Sequence, residues 1–327
     1  MKLKSIFRKN TIIILIVLLQ LSFGLSSCTQ KFTIPVLPDT QKEINYKPEM
    51  FSSQMEWLAS HKDSLKIPIV LHVGDVVDFD NHDHYKIASE GFSILDRAKV
   101  PYAIAIGNHD TEVVGEFSGG IAPGDANANL RKTTKFNSYF PEERFTLQKD
   151  RFENNKSDNA SYTFKAAGLN WLVLTLEFCP RQEAVDWANQ IIPKYPKHNV
   201  IILTHYHLRS KGEIAPNNLG YGNLAMQSVY DQLFKQHPNI LMVLSGHVGK
   251  SVWRDDIGEN GNHIYQILQN YQGEDHGGGY IRLLEIDPKA GTISAKMYSP
   301  FYNQTKNDAS IFSFSEVKFI GKKSRHK

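Results

Sequence analysis

Five segments of this 327-residue chain stop on side chains that bind cations or carry protons. They are Pro38-Asp39-Thr40-Gln41, Gly74-Asp75-Val76-Val77-Asp78, Gly107-Asn108-His109-Asp110, Thr204-His205-Tyr206-His207 and Ser245-Gly246-His247-Val248-Gly249. Carboxylate, amide oxygen and imidazole are the ligands that hard and borderline divalent metals take. One carboxylate can bridge two ions, and two ions ~3.5–4 Å apart clamp a phosphoryl group for in-line attack. A separate imidazole is then needed to protonate the leaving oxygen.

Each segment follows a short apolar run: Phe32 to Leu37, Ile67 to Val73, Val100 to Ile106, Asn199 to Thr204 and Ile240 to Ser245. Runs of this kind form buried parallel strands. The loops leaving their carboxyl ends are where open α/β sheets build active sites. Further strands are predicted at Ser161 to Lys165 and Trp171 to Glu177. Helical spacing occupies Met50 to His61, His84 to Lys99, Gln182 to Ile192 and Met226 to His237. Past Val248 the pattern changes to strands at His263 to Leu268, Tyr280 to Asp287, Thr292 to Tyr298 and Ile311 to Val317. A βαβ series followed by a meander predicts an α/β fold of two packed mixed β-sheets flanked by helices. No linker-like tract or solenoid repeat divides the chain. One domain is therefore expected over 28–320, with a motif core at 32–250 and a β-rich completion at 251–320.

In order and spacing these motifs resemble those of the calcineurin-like metallophosphoesterases: Asp-x-His, Gly-Asp-x-x-Asp, Gly-Asn-His-Asp/Glu, a lone His and Gly-His-x-His. Leu37 to Gln41, Leu176 to Arg181, Asn270 to Gly273 and Tyr298 to Pro300 resemble a bacterial secreted branch of that family. The resemblance implies an α/β/β/α sandwich, two divalent ions (manganese, iron, zinc or similar) and a phosphoester substrate. It implies hydrolysis by a metal-held hydroxide. Asp75 would be the bridging carboxylate, with Asn108, His205 and His247 completing one metal site and Asp39 serving the other. His109 would be the general acid, and Asp78 would hold it as an Asp–His dyad.

Two positions depart from the family pattern. Gln41 stands where a His is usual, and Gly249 where the last His belongs. Both losses fall on the Asp39 site, which is expected to bind metal weakly, to prefer a harder ion, or to recruit His207, Gln272 or His276. The losses also motivate a reading of another class, a degenerate member that binds a ligand or partner without turnover. Intact Asp78, Asn108, His109, His205 and His247 speak against it.

His207, Arg181 and His84 are candidates for substrate contact. Arg181 has a planar fork suited to phosphate, although an ion pair would use it equally well. The His82-Asp83-His84 cluster reads as a helix start capped by Asn81 or Asp83. Cys179, with no adjacent His, reads as a packed thiol. Thr111 to Ala160, rich in glycine and polar residues, and Lys211 to Asn223 are expected to form a lid, a substrate wall or surface loops.

The chain begins with a basic stretch, an apolar run over Thr11 to Leu21 and Leu25-Ser26-Ser27-Cys28. That describes a secretory leader over 1–27, shorter than a bilayer span and resembling a bacterial lipobox with Cys28 as the lipidated residue. An exported, lipid-anchored protein of the bacterial cell envelope is expected, held to the membrane through that N-terminal lipid. Lys2, Lys4, Arg8 and Lys9 belong to the leader, so the net charge of +3 becomes −1 for the remainder. No nucleic-acid binding is expected from such a body. Residues 321–327 form a short basic tail.

Overall fold

The computed structural model describes residues 31–322. Its strands in chain order are β1 (Phe32–Leu37), β2 (Val70–His72), β3 (Tyr102–Ile104), β4 (Val114–Gly115), β5 (Ser118–Ile121), β6 (Gln148–Arg151), β7 (Ala160–Ala166) and β8 (Leu169–Leu176). They continue as β9 (His198–Thr204), β10 (Ile240–Ser245), β11 (Ser251–Ile257), β12 (His263–Gln269), β13 (Ile281–Asp287), β14 (Thr292–Ser299), β15 (Gln304–Thr305) and β16 (Phe312–Phe314). The α-helices are α1 (Gln41–Tyr46), α2 (Pro48–His61), α3 (His82–Ala98), α4 (Ala126–Leu130), α5 (Thr134–Tyr139), α6 (Gln182–Ile191) and α7 (Met226–Gln232).

Two seven-stranded sheets result. One runs β15-β14-β13-β1-β2-β3, with β16 also on β14; the other runs β11-β12-β10-β9-β8-β7-β6. Strands β1, β2 and β3 are parallel, as are β8, β9, β10 and β12. Antiparallel neighbours complete one edge of the first sheet and both edges of the second, so each sheet is mixed. Alternation along the strands sorts the layers. Trp171, Val173, Ile201 and Leu203 join the large core that also holds β1 to β3. Their neighbours Leu172, Leu174, Val200 and Ile202 join a second core with Val185, Ala188 and Val229 of α6 and α7. Helices α2 and α3 pack on the first sheet through Phe51, Met55, Leu58, Tyr85, Phe92 and Leu95. This is the two-sheet, helix-flanked architecture expected from the residue pattern.

Several boundaries move for local reasons. Strand β2 starts at Val70 rather than Ile67 because Pro68 lacks an N–H and restricts the residue before it. Helix α3 starts at His82, where the Asn81 side chain accepts the His84 N–H at 2.9 Å. Helix α7 stops at Gln232, and a 3-10 turn at Phe234–Gln236 replaces the rest of the expected helix. The 111–160 segment contains the hairpin β4–β5, two short helices and edge strand β6. The expected leader, Cys28 and most of the basic tail lie outside the described residues.

Candidate metal centre

Parallel pairing brings five strand ends to one place. Asp39, Asp75 and Asn108 follow β1, β2 and β3 of the first sheet; His205 and His247 follow β9 and β10 of the second. Hydrogen bonds stitch the seam. His205 Nδ1 donates to the Val73 carbonyl at 2.9 Å, and the His247 N–H donates to Asp39 Oδ2 at 3.0 Å. From β12, Asn270 Nδ2 donates to Asp39 Oδ2 at 2.9 Å. Asn270 stands one residue past β12, which brings its amide to Asp39.

Asp75 Oδ2 lies 3.0 Å from His205 Nε2, which lies 3.2 Å from His247 Nδ1. One ligand atom from each of the three falls within 4.8 Å of the other two. The Phe178 ring packs beside both imidazoles, with centroids at 5.6 and 5.0 Å. Two nearby buried oxygens, Asn108 Oδ1 and Gln41 Oε1, have no hydrogen-bond partner. An unpaired buried acceptor is costly. A carboxylate, two imidazole nitrogens and orphaned amide oxygens form a donor set that a divalent cation satisfies.

The backbone here is held under strain. Asp75 and His247 adopt left-handed conformations, with φ of 53° and 71°, a cost of roughly 1–3 kcal/mol each. Asp110 supports the first. Its carboxylate accepts the N–H groups of Asp75, Gly107 and Val76 at 2.8, 2.9 and 2.9 Å. A Cβ on Gly107 would collide with the Asp75 carboxylate, and one on Gly246 with that of Asp39. Both glycines are therefore required by close approach.

Burial and mutual charge set the ionisation. Burial disfavours the His205 cation, but Asp75 and Asp39 outweigh it and raise His205 to about 9. Burial raises Asp75 too, yet His205 and His109 hold it below the usual carboxylate range. Asp39 is pushed up to about 8 by burial. His247 falls to about 3 through burial and the neighbouring His205 charge. An imidazole must be deprotonated to ligate, so cation binding at His205 releases a proton.

His109 sits at the edge of this cluster. Its N–H donates to Asp75 Oδ1 at 3.0 Å. The expected Asp78–His109 dyad takes a different form. His109 Nδ1 meets the main-chain carbonyl of Asp78 at 2.7 Å, while the Asp78 carboxylate is 3.7 Å away. That carboxylate is held by Lys42 Nζ, at 2.9 Å to each oxygen, and by Asn45 Nδ2 at 2.6 Å. Gln41 Nε2 lies 3.3 Å from His109 Nε2 and 3.5 Å from Asp78 Oδ1, so the amide links His109 to the Asp78 carboxylate. Helix α1 supplies Gln41, Lys42 and Asn45 together; at six residues it was too short to show periodicity.

The model of the calcineurin-like phosphoesterase family matches residues 32–251. The chain belongs to that family. A curated relative, the uncharacterized protein YvnB of Bacillus subtilis (strain 168), is 29% identical over 280 residues, covering 83% of this chain and 20% of the relative. The chain thus spans about a fifth of that protein's length. A dimetal phosphatase from Danio rerio superposes with a TM-score of 0.54 at 12% identity, covering 88% of this chain and 99% of its own. Purple acid phosphatase PPD1 from yellow lupin gives 0.55 at 14% identity, over 88% and 54%. At these identities the likeness is one of fold.

In this calcineurin-like phosphoesterase, the remaining sequence candidates are placed as follows. His207 is carried away from the cluster. The chain leaves the sheet after Thr204, so the two-residue repeat that would align it with His205 no longer holds. Its Nε2 meets Gln266 Oε1 at 2.6 Å, its ring packs on Phe234, and burial lowers it to about 4. It is a core histidine, not a substrate contact. Arg181 is likewise engaged elsewhere: Nη2 pairs with Glu153 at 2.6 Å and Glu177 at 2.8 Å. His84 remains beside the Asp78 loop, accepting the Phe79 N–H at 3.1 Å and stacking on Phe79. His276 stacks on Tyr46 at 4.8 Å, and Gln272 Oε1 is buried without a partner. Cys179 is a buried free thiol raised to about 12 by burial, as its surroundings predict.

Proposed function

We propose that the chain is a metal-dependent phosphoester hydrolase in which Asp75 is shared between two divalent cations. The convergence of Asp75, His205 and His247, beside the orphaned Asn108 Oδ1, carries this reading. Asp75, Asn108, His205 and His247 would hold one cation; Asp39, Asp75 and Gln41 would hold the other, more weakly. When bound, such a pair polarises phosphoryl oxygens and supplies a nucleophile at neutral pH. The protein's own groups do the rest. His205 is aimed by its Nδ1–H bond to Val73, and Asp39 is braced by Asn270 and the His247 N–H. With Nδ1–H donated to the Asp78 carbonyl, His109 turns Nε2 toward the Gln41 amide; protonated at Nε2, it would leave that contact and donate to the leaving oxygen. His84 stands close enough to the Asp78 loop to serve as a substrate contact.

His109→Ala is expected to lower kcat for a generic aryl phosphate ester by about 10²–10⁴-fold, with metal content and fold retained. An unchanged rate would remove its role as acid.

The proposal extends to location. The protein would be exported and anchored at Cys28 to a bacterial envelope membrane, with 28–320 forming the enzymatic domain. Cys28→Ser should accumulate as unprocessed precursor; incorporation of labelled fatty acid into that variant would contradict the anchor.

A further inference from the structure

The hairpin β4–β5 is the part of the 111–160 segment that reaches the proton-donating group. A Cβ built on Gly119 would lie 3.3 Å from His109 Cε1, so β5 runs across the imidazole at contact distance. The hairpin is tied down. Asn81 Nδ2 donates to the Glu116 carbonyl at 2.8 Å, Lys135 pairs with the Glu116 carboxylate at 3.3 Å, and the Ala122 N–H bonds the Val113 carbonyl at 2.7 Å. Yet it presents apolar side chains to water: Phe117 is 83% exposed and Ile121 54%. A large aromatic held in solvent two residues from the glycine that touches His109 forgoes burial that a ligand can supply.

We infer that this hairpin is the leaving-group wall of the site and that the substrate is a phosphoester of an apolar alcohol. The inference rests on the hydrolase reading above. His109 protonates the leaving oxygen, so the carbon skeleton on that oxygen must pass the surface next to His109. That surface is Gly119 and Gly120, which leave the approach open, flanked by Phe117 and Ile121. A sugar or nucleoside would find few fixed partners there. The Ser118 oxygen already accepts the Gly120 N–H at 3.3 Å, and Glu116 shares Lys135 with Asp80. In the reaction the bond from phosphorus to the alcohol oxygen breaks, water supplies the oxygen of the new bond, and the alkoxide takes its proton from His109; of the water's two protons one leaves with the phosphate and the other restores His109.

The test measures alcohol release by the purified chain, loaded with manganese and separately with zinc. The substrates are butyl, hexyl and decyl phosphates and glycerol phosphate, as monoesters and as methyl diesters. The expected result is a kcat/KM that rises about 2- to 4-fold per methylene. Phe117→Ala should shrink the decyl-to-glycerol ratio by about tenfold, and Phe117→Leu should restore most of it. Phosphatidate in phosphatidylcholine vesicles distinguishes sources. Its turnover identifies a membrane lipid, and turnover of the soluble series alone identifies a free amphiphile; either result supports the apolar alcohol. Cleavage that is flat with chain length, favours glycerol, or keeps its selectivity in Phe117→Ala overturns the inference and leaves the hydrolase standing. Cleavage of no ester at all overturns both.

Discussion

Replacing Asp75 by Asn is expected to cost more than ~100-fold in phosphoester hydrolysis while leaving the fold intact. Removing a partner that merely orients a metal ligand typically costs about 10–100-fold. Asp75 is closer to the chemistry than such a partner: its Oδ2 faces His205 Nε2 and its Oδ1 accepts the His109 N–H. Asn keeps the shape and the second contact but loses the charge that attracts two cations. It also turns an N–H toward the imidazole nitrogen whenever its oxygen serves His109. Elemental analysis after dialysis gives a readout independent of turnover. The unaltered chain should retain one ion firmly and a second less firmly, because Gln41 and Gly249 stand where the family pattern it resembles has imidazoles. The variant should lose the second ion and weaken the first. Wild-type rate and metal content in Asp75→Asn would dismantle the shared-carboxylate assignment.

Asp110→Ala should be the most damaging substitution that removes no proposed ligand. Four backbone N–H groups converge on its buried carboxylate, that of Val77 the most distant at 3.4 Å. Each donor left unpaired in the interior costs ~1–3 kcal/mol. Relief of burying a carboxylate offsets part of that, leaving about 4 kcal/mol of destabilisation. For a domain of this size the melting temperature should fall by about 10 °C. Asp110→Asn should fall between, since its single oxygen can serve only one side of the cradle. Calorimetry of the metal-stripped proteins isolates this effect from metal binding. An unaltered melting temperature would show that the loops before Asp75 and Asn108 hold themselves.

Asp110 also shows what the residue pattern could convey. Its place in Gly107-Asn108-His109-Asp110 marked it as part of a reactive loop, and the loop is where expected. Its neighbours in space, the N–H groups of residues 75 and 76, come from another strand, so its task of holding backbone could not be told from ligation. The strand ends were legible because an apolar run followed by a ligand is a local signal. The further partners of the Asp78 carboxylate, Lys42 and Asn45, are hidden for the opposite reason: they lie on a helix too short to announce itself. His207 failed because a two-residue repeat holds only while the strand lasts. Asn270 was hidden behind one more parallel strand, β12, that carried no histidine to draw attention. Segment 111–160 has weak periodicity because its pieces are short and much of its surface is wet. Even so, its hairpin ends against His109.

The division of the cluster between two sheets has a further consequence. Neither layer by itself owns a complete coordination sphere: one brings the oxygens, the other the nitrogens. The proposed hydrolysis would thus require the closed sandwich, and a fragment or a nascent chain still short of β10 would carry an incomplete set of ligands.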